Sequence, residues 1–166
     1  MTTLRPLTAP AFEWRRAGPA DLPALAALYR AAALALGPLV YTPPQVAAWA
    51  SFAADAIGFE RYVLEPDTWL AQRAGRVLGF CGVVRHDDAG EVRSLYVQPE
   101  HARQGIGSAM LARTLVRAQA EGATRFAAWV TPLSRPVFEA AGFVLARTVV
   151  EPFAGTLFER YRVERG

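Results

Sequence analysis

The stretch LYVQPEHARQGIGSAML, residues 95–111, decides the fold of this 166-residue chain. Residues 95–97 continue a β-like run, Gln98 and Pro99 end it, and a helical pattern starts at Gly105. Such a strand, loop and helix start gather free backbone N–H groups and the positive end of the helix dipole at one place. This arrangement favours binding of a phosphate or pyrophosphate group.

The loop contains residue types suited to an anion. Gly105 and Gly107 allow the backbone to approach a ligand closely, Arg103 offers a charge-assisted contact, and Ser108 offers a hydroxyl. The P-loop sequence Gly-Lys-Ser/Thr is absent, as are the third glycine and the ribose-binding acid of a dinucleotide fold. Because an isolated Gly-x-Gly is weak support by itself, the surrounding elements decide its meaning.

The elements before the loop form an antiparallel meander. Alternating apolar residues predict three strands joined by two short turns, at residues 68–73, 77–85 and 91–97. The helix predicted over residues 105–121 ends at Gly122. Beyond it the pattern predicts further elements: a strand at residues 124–131, a helix at 133–140, and strands at 143–150 and 156–163.

The N-terminal part adds a strand and two helices. A strand is predicted at residues 12–16 and a helix at 21–36. Thr42-Pro43-Pro44-Gln45 has the capping-box pattern and predicts a second helix that runs to residue 57. We therefore expect an irregular arm at residues 1–11 and one domain at residues 12–166.

In this context residues 95–111 resemble the acetyl-CoA motif of the GNAT superfamily of N-acetyltransferases. The sequence FEAAGF at residues 138–143 is similar to its later Phe-Tyr-x-x-x-Gly-Phe signature. The resemblance implies an α/β (α+β) GNAT fold. Its mixed central sheet has six to seven strands with about four helices, and it is splayed between strands four and five.

The resemblance also implies acetyl-CoA as cofactor. In the family, strand four pairs with the pantetheine amides and the following loop carries the pyrophosphate. The corresponding cofactor-binding residues here are Leu95, Tyr96, Val97, Arg103, Gln104, Gly105, Ile106, Gly107, Ser108 and Phe138.

The chain departs from the family pattern at Ala102, Thr131 and Phe138. Phe138 matters most, because the tyrosine usual at that position often protonates the departing CoA thiolate. A thiol has a pKa of about 8.5, so its thiolate already leaves tolerably well at neutral pH. Loss of the tyrosine is therefore expected to slow acetyl transfer without abolishing it.

Two residues are candidates for the proton transfers, Ser134 and Glu91. Ser134 lies one helical turn before Phe138 and either supplies a hydroxyl near the sulfur or simply starts the helix. Glu91 matches a glutamate base of the histone-type GNAT branch. It also shares a strand face with Arg93, so a structural or substrate-positioning ion pair is the competing interpretation.

Tyr41, Gln45 and Trp49 recur at four-residue spacing and therefore share one helix face. The pattern is typical of an aromatic core stripe and, in the GNAT fold, also of an acceptor-binding wall. It resembles a bacterial subgroup of GNAT enzymes whose acceptors are poorly defined. With Arg93, these residues are the predicted substrate-binding set.

Composition limits the other classes of function. The 52% apolar and 20% charged residues indicate a globular domain. Eighteen basic residues are scattered among fifteen acidic ones, which disfavours nucleic-acid binding. Cys81 is the only cysteine and no residues have metal-ligand spacing, so no metal is expected. The longest apolar stretch, residues 24–36, is interrupted by Tyr29 and Arg30, so we predict no membrane span.

The sequence thus predicts an acetyl-CoA-dependent N-acetyltransferase that acts on a small-molecule amine by direct attack in a ternary complex. The alternatives are an acyl-CoA-binding sensor and, ranked last, an arginine-rich nucleic-acid binder. The N-terminus lacks a signal-peptide pattern, which predicts a cytoplasmic protein. Apolar residues in the last two strands favour a homodimer: Val149, Val150, Phe153 and Phe158.

Overall fold

The computed structural model describes residues 11–166, so the predicted arm at residues 1–11 lies outside them except for Ala11. The seven strands are β1 (Glu13–Arg16), β2 (Asp67–Arg73), β3 (Arg76–His86), β4 (Ala89–Val97), β5 (Arg125–Val130), β6 (Val144–Phe153) and β7 (Thr156–Arg165). The α-helices are α1 (Leu22–Leu36), α2 (Pro43–Ser51), α3 (Ala56–Leu64), α4 (Ile106–Ala120) and α5 (Arg135–Ala140).

The strands form one mixed sheet in the order β1-β2-β3-β4-β5-β7-β6. Neighbouring strands are antiparallel except for β4 and β5, which are parallel. This pair is short: residues 89–92 of β4 pair with residues 125–128 of β5, and the two strands then separate. The number of strands and the splay that the resemblance implied are confirmed. On the side of β5, residues 93–97 have no neighbouring strand and border an opening.

Helices cover both faces of the sheet. Phe80 and Cys81 are adjacent on β3 and fully buried, yet they pack into opposite cores because successive strand residues point to opposite faces. Cys81 joins a core with residues of α4 and α5, whereas Phe80 joins a core with residues of α1 and α3. The opening between β4 and β5 therefore lies between two helical layers, one on each face of the sheet.

Residues 11–166 contain five α-helices, where about four were predicted. The prediction that the second helix runs to residue 57 is wrong, because α2 ends at Ser51 and a short 3₁₀ turn follows. Asp55 then caps α3, its carboxylate accepting the N–H of Gly58 at 3.0 Å. A Cβ at Gly58 would overlap that carboxylate, so the cap depends on a glycine there.

The first helical segment is both long and apolar. Residues 19–39 form 21 helical residues, and an 18-residue window within them has mean hydropathy 1.4, which is enough by length and composition to cross a membrane. Tyr29 and Arg30 interrupt the apolar run in the sequence, but Tyr29 is buried in the core with Leu25 and Leu28. In this fold α1 is a core helix against the sheet. The cytoplasmic location stays a prediction.

The C-terminal strands are only partly available for a dimer contact. Val150 and Phe153 on β6 are 62% and 43% exposed. Phe158 on β7 is buried and stacks its edge against Tyr41 at 5.2 Å. Phe158 therefore belongs to the interior of the fold, and the predicted homodimer has to rest on β6.

Asp21 joins β1 to the start of α1. The Arg15 guanidinium donates two hydrogen bonds to its carboxylate, at 2.8 and 2.9 Å, and the Gly18 N–H donates a third at 2.8 Å. The Arg15 hydrogen bond is the main cause that lowers the pKa of Asp21 below its ordinary value of 3.8, although burial opposes it. The folded state therefore favours the ionised carboxylate.

Asp21→Asn is expected to destabilise the fold by about 1–2 kcal/mol at neutral pH, because hydrogen bonds to a charged group are lost. A depressed folded pKa stabilises the fold above the unfolded pKa, and this contribution disappears as pH falls through the folded pKa. Urea unfolding at pH 7 and below pH 3 measures the effect. A difference between wild type and variant that does not shrink in acid would contradict the ionic origin.

Candidate active site

Two cavities meet in the opening between β4 and β5. One, of about 300 Å³, extends from β4 to the start of α4 and to α5. The other, of about 330 Å³, extends toward α2, β6 and β7. We call them the loop cavity and the aromatic cavity. Six residues line both cavities: Trp49, Tyr62, Arg93, Tyr96, Trp129 and Thr131.

The loop cavity ends at the N-terminus of α4. Gly105 is the N-cap residue with a φ of +80°, and none of the described side chains caps the first turn of this helix. The first-turn N–H groups are therefore left for a ligand. Gly107 adds space, since a Cβ there would have only Val97 within 4 Å, at 3.5 Å. This end of the cavity fits a phosphate-bearing ligand.

The predicted cofactor-binding residues nearly all gather at this cavity. Its lining includes Leu95, Tyr96, Val97, Arg103, Gly105, Gly107, Ser108 and Phe138. Gln104 and Ile106 are the exceptions. The Gln104 amide donates to the Glu100 carbonyl at 3.5 Å, and Ile106 is buried in the core beneath α4. Their side chains therefore support the loop and do not face the cavity.

Phe138 and Ser134 border the loop cavity from α5. Phe138 is 3% exposed and packs edge-on against Phe143 at 5.1 Å. The Ser134 hydroxyl accepts the Thr131 N–H at 3.1 Å, and the two hydroxyls lie 3.3 Å apart. Ser134 thus occupies a reciprocal turn with Thr131 at the start of α5, which is the helix-start role that the sequence analysis gave as one interpretation.

Glu91 lies outside the lining of both cavities. Its carboxylate pairs with Arg93 at 2.8 Å and with Arg162 at 3.5 Å. The ion pair that the sequence analysis considered against a catalytic base is therefore present. Arg93 itself lines both cavities and occupies a β-bulge, because Gly82 pairs with Ser94 while the next residue of β3 already pairs with Val92.

The aromatic cavity is walled almost entirely by rings. The nine aromatic side chains are Tyr29, Tyr41, Trp49, Phe52, Tyr62, Tyr96, Trp129, Phe153 and Phe158. Three charged residues also line it, Arg93, Glu151 and Arg160, and the last two pair at 2.9 Å. Burial raises the pKa of Tyr41 to about 12, so its phenol stays neutral. Such a wall suits a flat or apolar molecule.

Gln45 does not line either cavity, unlike Tyr41 and Trp49. Its side-chain oxygen accepts the Thr42 N–H at 2.9 Å, which forms the capping box predicted from the sequence. Its amide nitrogen donates to the Leu157 carbonyl at 2.8 Å and thereby joins α2 to β7. We therefore leave Gln45 out of the proposed acceptor site.

Several cavity residues were not predicted as site residues, among them Tyr29, Tyr62 and Trp129. Tyr62 follows Phe59 by three residues on α3, and the Asp55 cap was the signal that would have revealed this helix. Trp129 lies on β5, where the splay turns its ring toward both cavities. Within residues 11–166, no group of three His, Cys, Asp or Glu side chains is arranged to hold a metal ion.

Comparison with known proteins agrees with this geometry. Residues 29–143, more than half of the chain, match the acetyltransferase (GNAT) family. The chain belongs to the GNAT family. It is an N-acetyltransferase, and solved GNAT structures share its fold.

Three relatives illustrate the similarity. The acetyltransferase is 28% identical over 125 residues to the uncharacterized N-acetyltransferase YafP of Escherichia coli K12, covering 75% of this chain and 76% of YafP. It is similar to a GCN5-related N-acetyltransferase from Rhodopseudomonas palustris, with TM-score 0.86, 22% identity, and coverage of 95% and 97% of the two chains. PaiA N-acetyltransferase from Thermoplasma acidophilum, solved with coenzyme A, has TM-score 0.77, 15% identity, and coverage of 93% and 98%.

Proposed function

We propose that this acetyltransferase takes the acetyl group from acetyl-CoA and transfers it to the amine of a small molecule, by direct attack in a ternary complex. The observation that carries the proposal is the meeting of two chemically different cavities at one set of six residues. A donor in the loop cavity and an acceptor in the aromatic cavity would have their reacting ends side by side. Such proximity lowers the entropic part of the barrier.

The loop cavity supports acetyl-CoA as the donor. The uncapped start of α4, with Arg103 and Ser108 beside it, offers N–H groups, a guanidinium and a hydroxyl to the pyrophosphate. Residues 93–97 of β4 have no β5 partner and so offer backbone groups to the pantetheine amides, as an added strand would use them. The related fold of PaiA was solved with coenzyme A bound.

The aromatic cavity supports a small acceptor with a flat, apolar body. Its volume of about 330 Å³ lies at the lower end of the range for small-molecule sites, roughly 300–1,000 Å³. The wall carries Glu151, which pairs with Arg160 at 2.9 Å, and a second arginine, Arg93, so polycationic molecules are not favoured. We therefore propose monoamines with an aromatic group as the preferred class.

A thiol-release assay over a panel of amines tests the proposal. The panel contains arylalkyl monoamines, aliphatic polyamines and amino acids, with mass spectrometry to identify the acetylated product. Acceptor-dependent CoA release, highest for the aromatic monoamines, is expected. Tight acetyl-CoA binding without acceptor-dependent release would favour the acyl-CoA sensor, and strongly salt-dependent DNA or RNA binding would favour the nucleic-acid binder.

Glu91→Gln is expected to change kcat by less than about tenfold. A general base contributes about 10²- to 10⁴-fold, whereas Glu91 is held by two arginines outside both cavities. Steady-state kinetics at saturating acetyl-CoA measure the change, with Glu121→Gln as control because Glu121 forms a comparable pair with Arg85. A loss above 100-fold with an unchanged Tm would identify Glu91 as the base after all.

We also propose that two chains associate along β6. This strand ends the sheet and exposes Val144, Val150 and Phe153, at 67%, 62% and 43%. An unpaired edge with apolar residues favours pairing with a second copy. Light scattering coupled to gel filtration measures the mass, and Val150→Lys should shift a dimer toward the monomer.

A further inference from the structure

The hydroxyl that the family usually places on α5 is missing in this chain. Phe138 presents a phenyl ring to the loop cavity and is packed against Phe143. The departing sulfur therefore requires a proton from another group if it is to leave as a thiol. The groups best placed to supply it line both cavities, because the donor and acceptor meet there.

Three of the six residues that line both cavities carry hydroxyls: Tyr62, Tyr96 and Thr131. The Tyr62 hydroxyl donates its proton to the Arg93 carbonyl at 3.1 Å. The Thr131 hydroxyl accepts the Ser134 N–H at 3.2 Å and lies 3.3 Å from the Ser134 hydroxyl. Both of these hydroxyls are thus engaged in holding the backbone of the site.

Tyr96 has a different hydrogen-bond arrangement. The Trp49 indole N–H donates to its hydroxyl oxygen at 3.3 Å. Since an indole nitrogen only donates, the Tyr96 oxygen is the acceptor, and its own proton is left for another partner. The hydroxyls of Tyr29 and Tyr62 also interact with the Tyr96 hydroxyl, and among residues 11–166 no carboxylate or backbone carbonyl takes the Tyr96 proton.

The Tyr96 ring is held rigidly. It stacks on Phe80 with centroids 5.4 Å apart and planes 21° apart, and it lies 4.7 Å from the ring of Tyr29. Its backbone pairs with Phe80 on β3, in the part of β4 that has no β5 partner. Its side chain is therefore held where the two cavities meet, beside the strand edge proposed for the pantetheine.

We propose that Tyr96 is the general acid of the acetyl transfer, in the role that Phe138 cannot perform. This inference rests on the proposed function. As the amine nitrogen bonds to the carbonyl carbon and the carbon–sulfur bond breaks, Tyr96 gives its proton to the sulfur. The Trp49 N–H stabilises the phenolate that remains, and the phenolate then takes the proton released by the nitrogen. Amine and thioester become amide and thiol, and Tyr96 is restored.

The protonation state of Tyr96 agrees with this role. Burial raises the pKa of Tyr96 above its ordinary value near 10, and the hydrogen bond from Trp49 is the largest effect that opposes the rise. The phenol therefore carries its proton throughout the neutral range. A proton on the acid before each turnover is the condition for general acid catalysis.

Tyr96→Phe tests the assignment, since it keeps the stacked ring and removes only the hydroxyl. We expect kcat for the best amine to fall about 100-fold or more, with the KM for that amine and the Kd for acetyl-CoA unchanged within about threefold. Tyr161→Phe is the matched control, because Tyr161 lies outside the lining of both cavities, and it should retain wild-type kcat.

A second variant separates an acid from a structural role. Tyr96→Phe combined with Phe138→Tyr restores a hydroxyl on α5, and recovery of at least tenfold in kcat would support the proton-donor role. An unchanged kcat in Tyr96→Phe would overturn it. So would a fall in kcat accompanied by equally large increases in the KM for the amine and the Kd for acetyl-CoA. If wild type releases no thiol with any amine, the proposed function itself fails, which is a different result from a failure of Tyr96 alone.

Discussion

Replacing Gly107 with aspartate is expected to weaken acetyl-CoA binding by 100-fold or more while leaving the fold intact. A Cβ at this position meets only Val97, at an ordinary contact distance of 3.5 Å. A carboxylate in the first turn of α4 also complements the helix dipole, so the helix itself gains stability. The bound pyrophosphate would, however, face a like charge. Two charges about 4 Å apart near a protein surface repel by about 4 kcal/mol, and each 1.4 kcal/mol is tenfold in affinity.

Gly107→Asn is the matched control for this variant, because it has nearly the same shape without the charge. Isothermal titration with CoA should show a much smaller loss for asparagine than for aspartate. Added salt should narrow the difference, since screening weakens repulsion between partly exposed charges. Equal affinities for the two variants would show that the phosphates do not lie on the start of α4.

The loop and the elements beside it were predictable because their signals are local. A proline after the strand, glycines at the loop and helical spacing beyond Gly105 are read within one short stretch of sequence. The Thr42 and Gln45 capping box was likewise predicted from four consecutive residues. Backbone-level features of the donor site therefore follow from the amino-acid sequence alone.

The break between α2 and α3 was missed because the apolar pattern continues across it. Alanine and aromatic residues recur through residues 47–54 without glycine or proline, and only Asp55 marks the new helix. Its carboxylate competes for the backbone N–H of Gly58. Missing α3 also meant missing Tyr62, a residue of this helix that lines both cavities.

The side-chain arrangement of the site depends on contacts that no local pattern contains. Glu91 pairs with Arg162 across the sheet, and Trp49 on α2 reaches the hydroxyl of Tyr96 on β4. The bulge at Arg93 also breaks the alternation of β4, so that Val92 and Leu95 contact the same core. A strict period of two would have placed them on opposite faces.

Truncating Phe80 to alanine is expected to lower the free energy of unfolding by about 3–5 kcal/mol, as for other large-to-small core substitutions. Phe80 is fully buried among Leu25, Leu28 and the ring of Tyr96. Urea unfolding measures the loss. The control is Phe153→Ala, since Phe153 is 43% exposed and should cost much less. Similar losses for both variants would contradict the placement of Phe80 in the core.

The Phe80 variant also separates stability from catalysis. A ligand that binds only the folded state stabilises it by about 2.7 kcal/mol at 100 times its Kd, so saturating acetyl-CoA should refold most of a destabilised population. If Phe80 only contributed stability, kcat per folded molecule would then return to the wild-type value. Because Phe80 backs the Tyr96 ring at 5.4 Å, we expect kcat to remain low even when the chain is folded. Circular dichroism under assay conditions gives the folded fraction, and full recovery of kcat would show that the position of Tyr96 does not depend on Phe80.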